Sequence, residues 1–258
     1  MPTTTSPRGL SLPGSNNRRH WIGLGLVAAV ALAAALLAWR APGEPTSPNR
    51  ARPQVLLMTA LPIVWGEGGA FDPQSRPAPF YTELQKRFAV QPIDAFSDPR
   101  LPEAKLLLLI QPRWLAPSEL VALDAWVRRG GRALILTDPR LNWPSDLPLG
   151  DIRRPPLTGL LAPLLGHWGL KVEAGAEGRS TVDIGGRSLA VEDPGHLTTT
   201  SGHCTVVRPY RANCRIGAGS AIVIADADLV REELWHGGAA DNPQAVAGLL
   251  DTLASLPR

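Results

Sequence analysis

Few residues in this 258-residue chain are of types and spacings that could do chemistry. Asp138 follows the apolar run Ala133–Thr137, and Asp226 and Asp228 follow the apolar run Ala221–Ala225. Carboxylates at such places could work as a general acid and base or hold a polar ligand. Gln111 and Arg113 follow a third run, Leu106–Ile110. An Arg there is a permanent cation that cannot act as nucleophile or base, but it can grip a carboxylate or phosphate with two parallel hydrogen bonds. If the three runs are neighbouring strands, Gln111, Arg113, Asp138 and Asp226 are expected to share one rim, with Asp228 beside them. A plainer role competes at each acid, because Asp commonly caps turns and helix starts. Trp65, Trp114 and Trp143 are the candidates for lining an apolar pocket.

Other chemistries lack their signatures. No Gly-x-Ser-x-Gly or Gly-x-Cys-x-Gly elbow is present, nor a Walker loop, nor a dinucleotide glycine fingerprint after a strand. No covalent nucleophile and no cofactor is therefore expected. His167, His196, His203 and His236 are scattered without metal-ligand spacing on a helix. Cys204 and Cys214 are the only cysteines, and they flank TVVRPYRAN in a stretch that reads as a hairpin. Cysteines facing each other across such a hairpin can bridge, provided the compartment is oxidising. Two free thiols are the alternative. A metal pair completed by His203 matches no zinc spacing.

The elements that would position these residues alternate between strand and helix. Val55–Met58, Leu106–Ile110, Ala133–Leu136 and Ala221–Ala225 are short continuous apolar runs, which suit strands buried on both faces of a mostly parallel sheet. Ala78–Phe88 carries apolar residues at helical spacing. Pro117-Ser118-Glu119 opens a helix with Leu120, Leu123, Trp126 and Val127 on one face, and Gly130-Gly131 closes it. Pro155–Trp168 reads as a further helix broken at Pro163, and Asn242-Pro243 starts a closing helix that runs to about Leu256. Residues 170–220 are rich in Gly, Thr and Val in short alternating runs, which predicts an antiparallel hairpin insertion. The whole predicts an α/β domain.

Ahead of that domain, residues 1–20 are polar and form an expected disordered tail. Residues 21–39, WIGLGLVAAVALAAALLAW, are uncharged and long enough to cross a bilayer, with Trp21 and Trp39 suited to its two interfaces. A cleavable signal peptide would have a shorter apolar region and a small-x-small cleavage site, which Trp39, Arg40 and Pro42 do not provide. Residues 40–53 form a Pro-rich linker and residues 54–258 the α/β domain. Arg8, Arg18 and Arg19 precede the span with no acid among them, which predicts an N-terminus in the cytoplasm and a domain on the periplasmic side. The net charge is +3, but the longest basic runs are pairs such as Arg128-Arg129 and Arg153-Arg154, so nucleic acid is not an expected partner.

The segment LLLLIQPRWLAPSELVALDAWVRRGGRALILTDP, together with LLAPLLGHWGLKVE and AIVIADADLV followed by Asp241-Asn242, resembles the auxiliary component of ABC-type transport systems, such as the gliding-motility auxiliary proteins. The resemblance runs over roughly residues 54–258. It implies a three-layer sandwich with a flavodoxin- or glutamine amidotransferase-like sheet that lacks the catalytic Cys. It also implies a non-catalytic, membrane-anchored accessory subunit of the bacterial inner membrane, with ABC permease or ATPase subunits or another membrane protein as partners. Two other classes stay open: a periplasmic hydrolase using acids near Asp138 and Asp226, and a module that binds a sugar or peptide.

Overall fold

A computed structural model of the chain describes residues 52–66, 68–69, 72–184, 186–200, 202–236 and 240–255. The polar tail, the apolar span Trp21–Trp39 and the linker up to residue 51 lie outside the described residues. Among the described residues, no helix is long and apolar enough to cross a membrane.

The centre is a seven-stranded sheet ordered β2-β1-β3-β4-β11-β10-β9. Its parallel part comprises β1 (Gln54–Thr59), β2 (Ala89–Pro92), β3 (Leu106–Ile110), β4 (Arg132–Leu136) and β11 (Gly219–Ile224). β9 (Cys204–Arg208) and β10 (Arg211–Ile216) extend it antiparallel at one edge. The apolar runs become central strands because both their faces are covered. Leu106, Leu108 and Ile110 enter one core, and Leu107 and Leu109 enter the other. On the first face lie α1 (Pro79–Arg87) and α5 (Asn242–Ser255), the latter preceded in the chain by the short α4 (Glu232–Trp235). On the second lie α2 (Pro117–Arg128) and α3 (Ala162–His167). Layers of helix, sheet and helix result, as expected for parallel strands joined by crossovers.

Local signals account for the helix boundaries. Glu119 of α2 reaches back to accept the Ala116 N–H at 3.0 Å, satisfying a donor at the open end of the helix. Gly130, at φ 109°, ends that helix, with its N–H on the Val127 carbonyl at 2.9 Å.

Two parts of the sequence reading need correction. Strand β2 carries no apolar run and was not predicted; it forms because Val90 and Gln91 align with Val55 and Leu56 on the open edge of β1. The helix expected over Pro155–Trp168 is confined to Ala162–His167, and Pro163 lies in its first turn rather than breaking it. The preceding residues instead donate and accept bonds to the loop after β4: Gly159 N to Asp138 O at 2.6 Å and Leu141 N to Leu157 O at 3.0 Å. A Cβ at Gly159 would sit 2.1 Å from the Thr137 hydroxyl, so this close approach requires glycine. Just ahead of β1, Arg52 donates to the Gln85 carbonyl and Ala89 N donates to Pro53 O at 2.9 Å.

The hairpin region is antiparallel as predicted, but it divides. β5 (Leu170–Glu173) pairs β8 (His196–Thr199), and β6 (Arg179–Asp183) pairs β7 (Ser188–Glu192), as two separate small sheets. The third hairpin, β9–β10, joins the main sheet. There Cys204 lies opposite Cys214 with Cα atoms 4.0 Å apart, and the two form a disulfide. The free-thiol and metal-pair alternatives fall with it.

Candidate functional site

The sheet changes direction between β1 and β3. From β1 the chain goes outward to β2, then returns to β3 on the other side and continues through β4 to β11. Loops leaving the two strands at such a switch point diverge and leave a crevice beyond the carboxyl ends. A cleft of about 350 Å³ occupies that place. Leu61, Val64 and Trp65 come from the loop after β1, Ile93 and Asp94 from the residues after β2, and Arg113 and Arg153 close the far side. Trp65 is 57% exposed. The volume falls within the range of small-molecule sites.

Arg113 is brought to the cleft by the turn at Gln111. Gln111 is buried and holds φ at 40°, in the left-handed region that few residues other than glycine adopt. Its surroundings hold it there. The Gln111 N–H donates to the Leu136 carbonyl at 2.8 Å, and its own carbonyl accepts from Ala60 N at 3.2 Å. Its side-chain oxygen accepts from Asp138 N at 2.8 Å, and its side-chain amide donates to the carbonyls of Asp138 and Pro156, each at 3.2 Å. Gln111 is therefore a fastener of three loops, with its carboxamide fully used. After Pro112 the chain turns out, and the Arg113 guanidinium donates to the carbonyls of Ile152 and Arg153. Both partners are neutral, so its charge is left available to the cleft. Arg153 is paired instead with Asp151 at 2.7 Å, and that pairing lowers the Asp151 carboxyl to about 2.

The three aspartates form a different group. All are fully buried at the ends of β4 and β11, and each accepts backbone N–H groups from loops that cover it. Asp138 accepts from Arg140 at 2.8 Å and Ala227 at 3.2 Å. Asp226 accepts from Glu192 and Leu229, each at 2.9 Å. Asp228 accepts from Asn142 at 2.7 Å, while its other oxygen has no hydrogen-bond partner and lies 3.8 Å from Arg231. Burial pushes the carboxyl of Asp138 up to about 6 and that of Asp228 to about 7. Burial, then the neighbouring Asp138 charge, drives Asp226 well above the usual carboxylate range.

The expected common rim of Gln111, Arg113, Asp138 and Asp226 thus divides. Only Arg113 faces solvent. The acids lie beneath β7 and the loop at Asn142, and they serve as loop braces. Trp65 joins Arg113 at the cleft, which residues far apart in sequence did not reveal. Trp143 instead packs, half-buried, against the core under α1 and α5, and Trp114 is exposed away from the cleft. Asp94 and Arg153 were not singled out from sequence, since neither follows a long apolar run. Buried Asn242 was also missed as a fastener. It bonds both backbone groups of Ala190 at 2.8 Å and the Leu229 carbonyl at 2.6 Å. Among the described residues, no group of three His, Cys, Asp or Glu is placed to hold a metal ion.

No curated protein matches the chain. Among solved structures it is similar to an exo-beta-1,4-mannosidase from Opitutaceae bacterium strain TAV5, with 12% identity and a TM-score of 0.46 over 78% of this chain and 36% of that one. A beta-galactosidase from Bacillus circulans sp. alkalophilus gives 14% identity and a TM-score of 0.47 over 79% and 31%. A cytoplasmic protein from Salmonella typhimurium LT2 gives 10% identity and a TM-score of 0.44 over 78% and 99%. The chain spans about a third of the length of the mannosidase and the galactosidase, and likenesses this distant carry no argument about activity. A family model described as an ABC-type uncharacterized transport system matches residues 52–177, from the start of the domain to the residues before β6. Over these residues the match supports an auxiliary component of an ABC-type transport system.

Proposed function

We propose that the chain is a non-catalytic accessory subunit of an ABC-type transport system, anchored in a bacterial inner membrane by Trp21–Trp39, with its domain working in the periplasm by binding. The observation that carries the binding role is the switch-point cleft. It presents an exposed Trp and an Arg that forms no ion pair among the described residues, while Asp138, Asp226 and Asp228 at the same sheet end are buried and engaged by backbone N–H groups. The family match supports association with an ABC transport system, and permease or ATPase subunits are the partners proposed. The turn at Gln111 supports the reading of a glutamine amidotransferase-like sheet without its nucleophile. It keeps the left-handed strand-end geometry, but places there a carboxamide committed to the fold and follows it with Pro112, which lacks the N–H an oxyanion site uses.

The cleft lies at the carboxyl ends of the parallel strands, where a partner can reach it. A photo-crosslinker at position 65, in membranes solubilised with mild detergent, is expected to capture transporter subunits, and Arg113→Ala to reduce that capture while leaving the fold intact. Capture unchanged by Arg113→Ala would remove the cleft from the reading. Turnover of ester, amide or glycoside substrates by the purified protein, lost in Asp138→Asn or Asp226→Asn, would replace it with the hydrolase reading.

A further inference from the structure

The charge of the chain is unevenly placed. Five of the 26 Lys and Arg and one of the 23 Asp and Glu precede Arg52, which leaves the domain nearly neutral with 21 cations against 22 acids. Within that neutral domain, the end where the linker arrives is basic. The amino ends of β1, β3, β4 and β11 meet there with the last turns of α1 and α2, and helix ends of that polarity favour cations. Lys86, Arg87 and Arg128 lie in those last turns and are paired with Glu83, Asp251 and Asp124. Lys105 and Arg129 are exposed and form no ion pair among the described residues; the acid nearest Lys105 in sequence is Glu103, and the one nearest Arg129 is Asp124, which is paired with Arg128.

Two adjoining hollows open on this end, of about 610 and 290 Å³. Glu103, Lys105, Arg132 and Ala254 line both. Arg129 lines the larger, and Pro53 and Gln54 line the smaller. Arg132 is held in place by its bond to the Ala254 carbonyl at 2.7 Å. Cations thus outnumber the one acid, Glu103, in the lining of both hollows, and the smaller reaches Pro53 and Gln54 at the start of β1. Residues 40–51 reach roughly 37 Å if extended like polyproline, so the domain can settle on a bilayer or stand clear of it.

We infer that this basic end of the sheet docks on anionic phospholipid headgroups, with Lys105 and Arg129 supplying the phosphate contacts, so that the domain rests on the membrane with its cleft facing away. The inference rests on the anchored reading proposed above. A cation close to an anionic lipid surface contributes about fivefold to the docked-to-free ratio. The two together are therefore expected to change that ratio about 25-fold.

The test uses the full chain in nanodiscs of phosphatidylcholine alone, or of phosphatidylcholine with one third phosphatidylglycerol, read by amide hydrogen exchange. Residues 102–105 and 129–132 are expected to exchange more slowly in the anionic discs. The double variant Lys105→Gln, Arg129→Gln should abolish that difference, while Arg208→Gln, on the exposed β9 edge, keeps it. Identical exchange at these residues in both kinds of disc overturns the docking, as does a double variant that behaves like the parent. A chain that co-purifies with neither disc overturns the anchor itself and the docking with it, so the two failures are told apart before exchange is measured.

Discussion

Replacing Asp228 by Asn tests the reading of the buried acids most directly. Asp228 is fully buried, and one of its oxygens accepts the Asn142 N–H at 2.7 Å. The other has no hydrogen-bond partner, and the nearest cation, Arg231, is 3.8 Å away and already holds Glu192 at 2.5 Å. Burial outweighs that distant charge and raises the carboxyl to about 7. The folded state therefore keeps the proton after the unfolded chain has released it near its ordinary value of about 4. Stability is complete below that lower value and falls as pH rises toward 7, because the unfolded state gains free energy by ionising while the folded state does not. The gap between those two values corresponds to about 4 kcal/mol lost by pH 7. Asn is a neutral isostere that cannot ionise. Its oxygen can keep the Asn142 bond, and its N–H groups at the unpartnered position cost about 1–3 kcal/mol. The variant is expected to be about 1–3 kcal/mol more stable than the parent at pH 7.5 and to show a shallower decline between pH 4.5 and 7, the contributions of Asp138 and Asp226 remaining. Urea unfolding of the full chain in detergent, followed by circular dichroism at several pH values, measures both. A variant less stable at pH 7.5, with the parent's pH slope, would mean that Asp228 is ionised and held by Arg231, and the argument would fail.

Three further outcomes are expected. Gln111→Ala removes the bonds of its carboxamide to the Asp138 N–H and the Pro156 carbonyl, the Asp138 carbonyl keeping the Gly159 N–H, so a loss of about 3 kcal/mol in unfolding free energy is expected, and a loss under about 1 would show the turn is held by other bonds. Reducing the Cys204–Cys214 bridge, which spans a sequence separation of 10, is expected to lower stability by about 2.5–3 kcal/mol, and mass spectrometry of protein made in an oxidising compartment should show both thiols consumed. A reporter fused after Arg258 is expected to be active as a periplasmic enzyme and silent as a cytoplasmic one, and the reverse would overturn the topology.

Much of the architecture was legible because it rests on local physics. Strands such as Leu106–Ile110 announce themselves as continuous apolar runs, since a strand covered on both faces has no polar side to show. The helix Pro117–Arg128 is bounded by a proline, a reaching Glu and a glycine pair, and all three act within a few residues of the chain. The disulfide was legible for a related reason, since a short hairpin fixes which residues face each other.

What only the tertiary structure decided is where side chains at strand ends go. Asp138, Asp226 and Arg113 all follow apolar strands, and by sequence they are equivalent rim candidates. Their fates differ because distant segments cover two of them: β7, more than thirty residues before Asp226, presents the Glu192 N–H to it, and the turn after β11 presents Ala227 to Asp138. Arg113 has no such cover and lies beside Trp65, because the reversal of strand order at β1 leaves a gap there. Whether a carboxylate becomes a brace or a ligand depends on which backbone N–H groups arrive above it. Those come from loops whose paths no local pattern encodes, whereas alternation, capping and hairpin pairing are written in neighbouring residues.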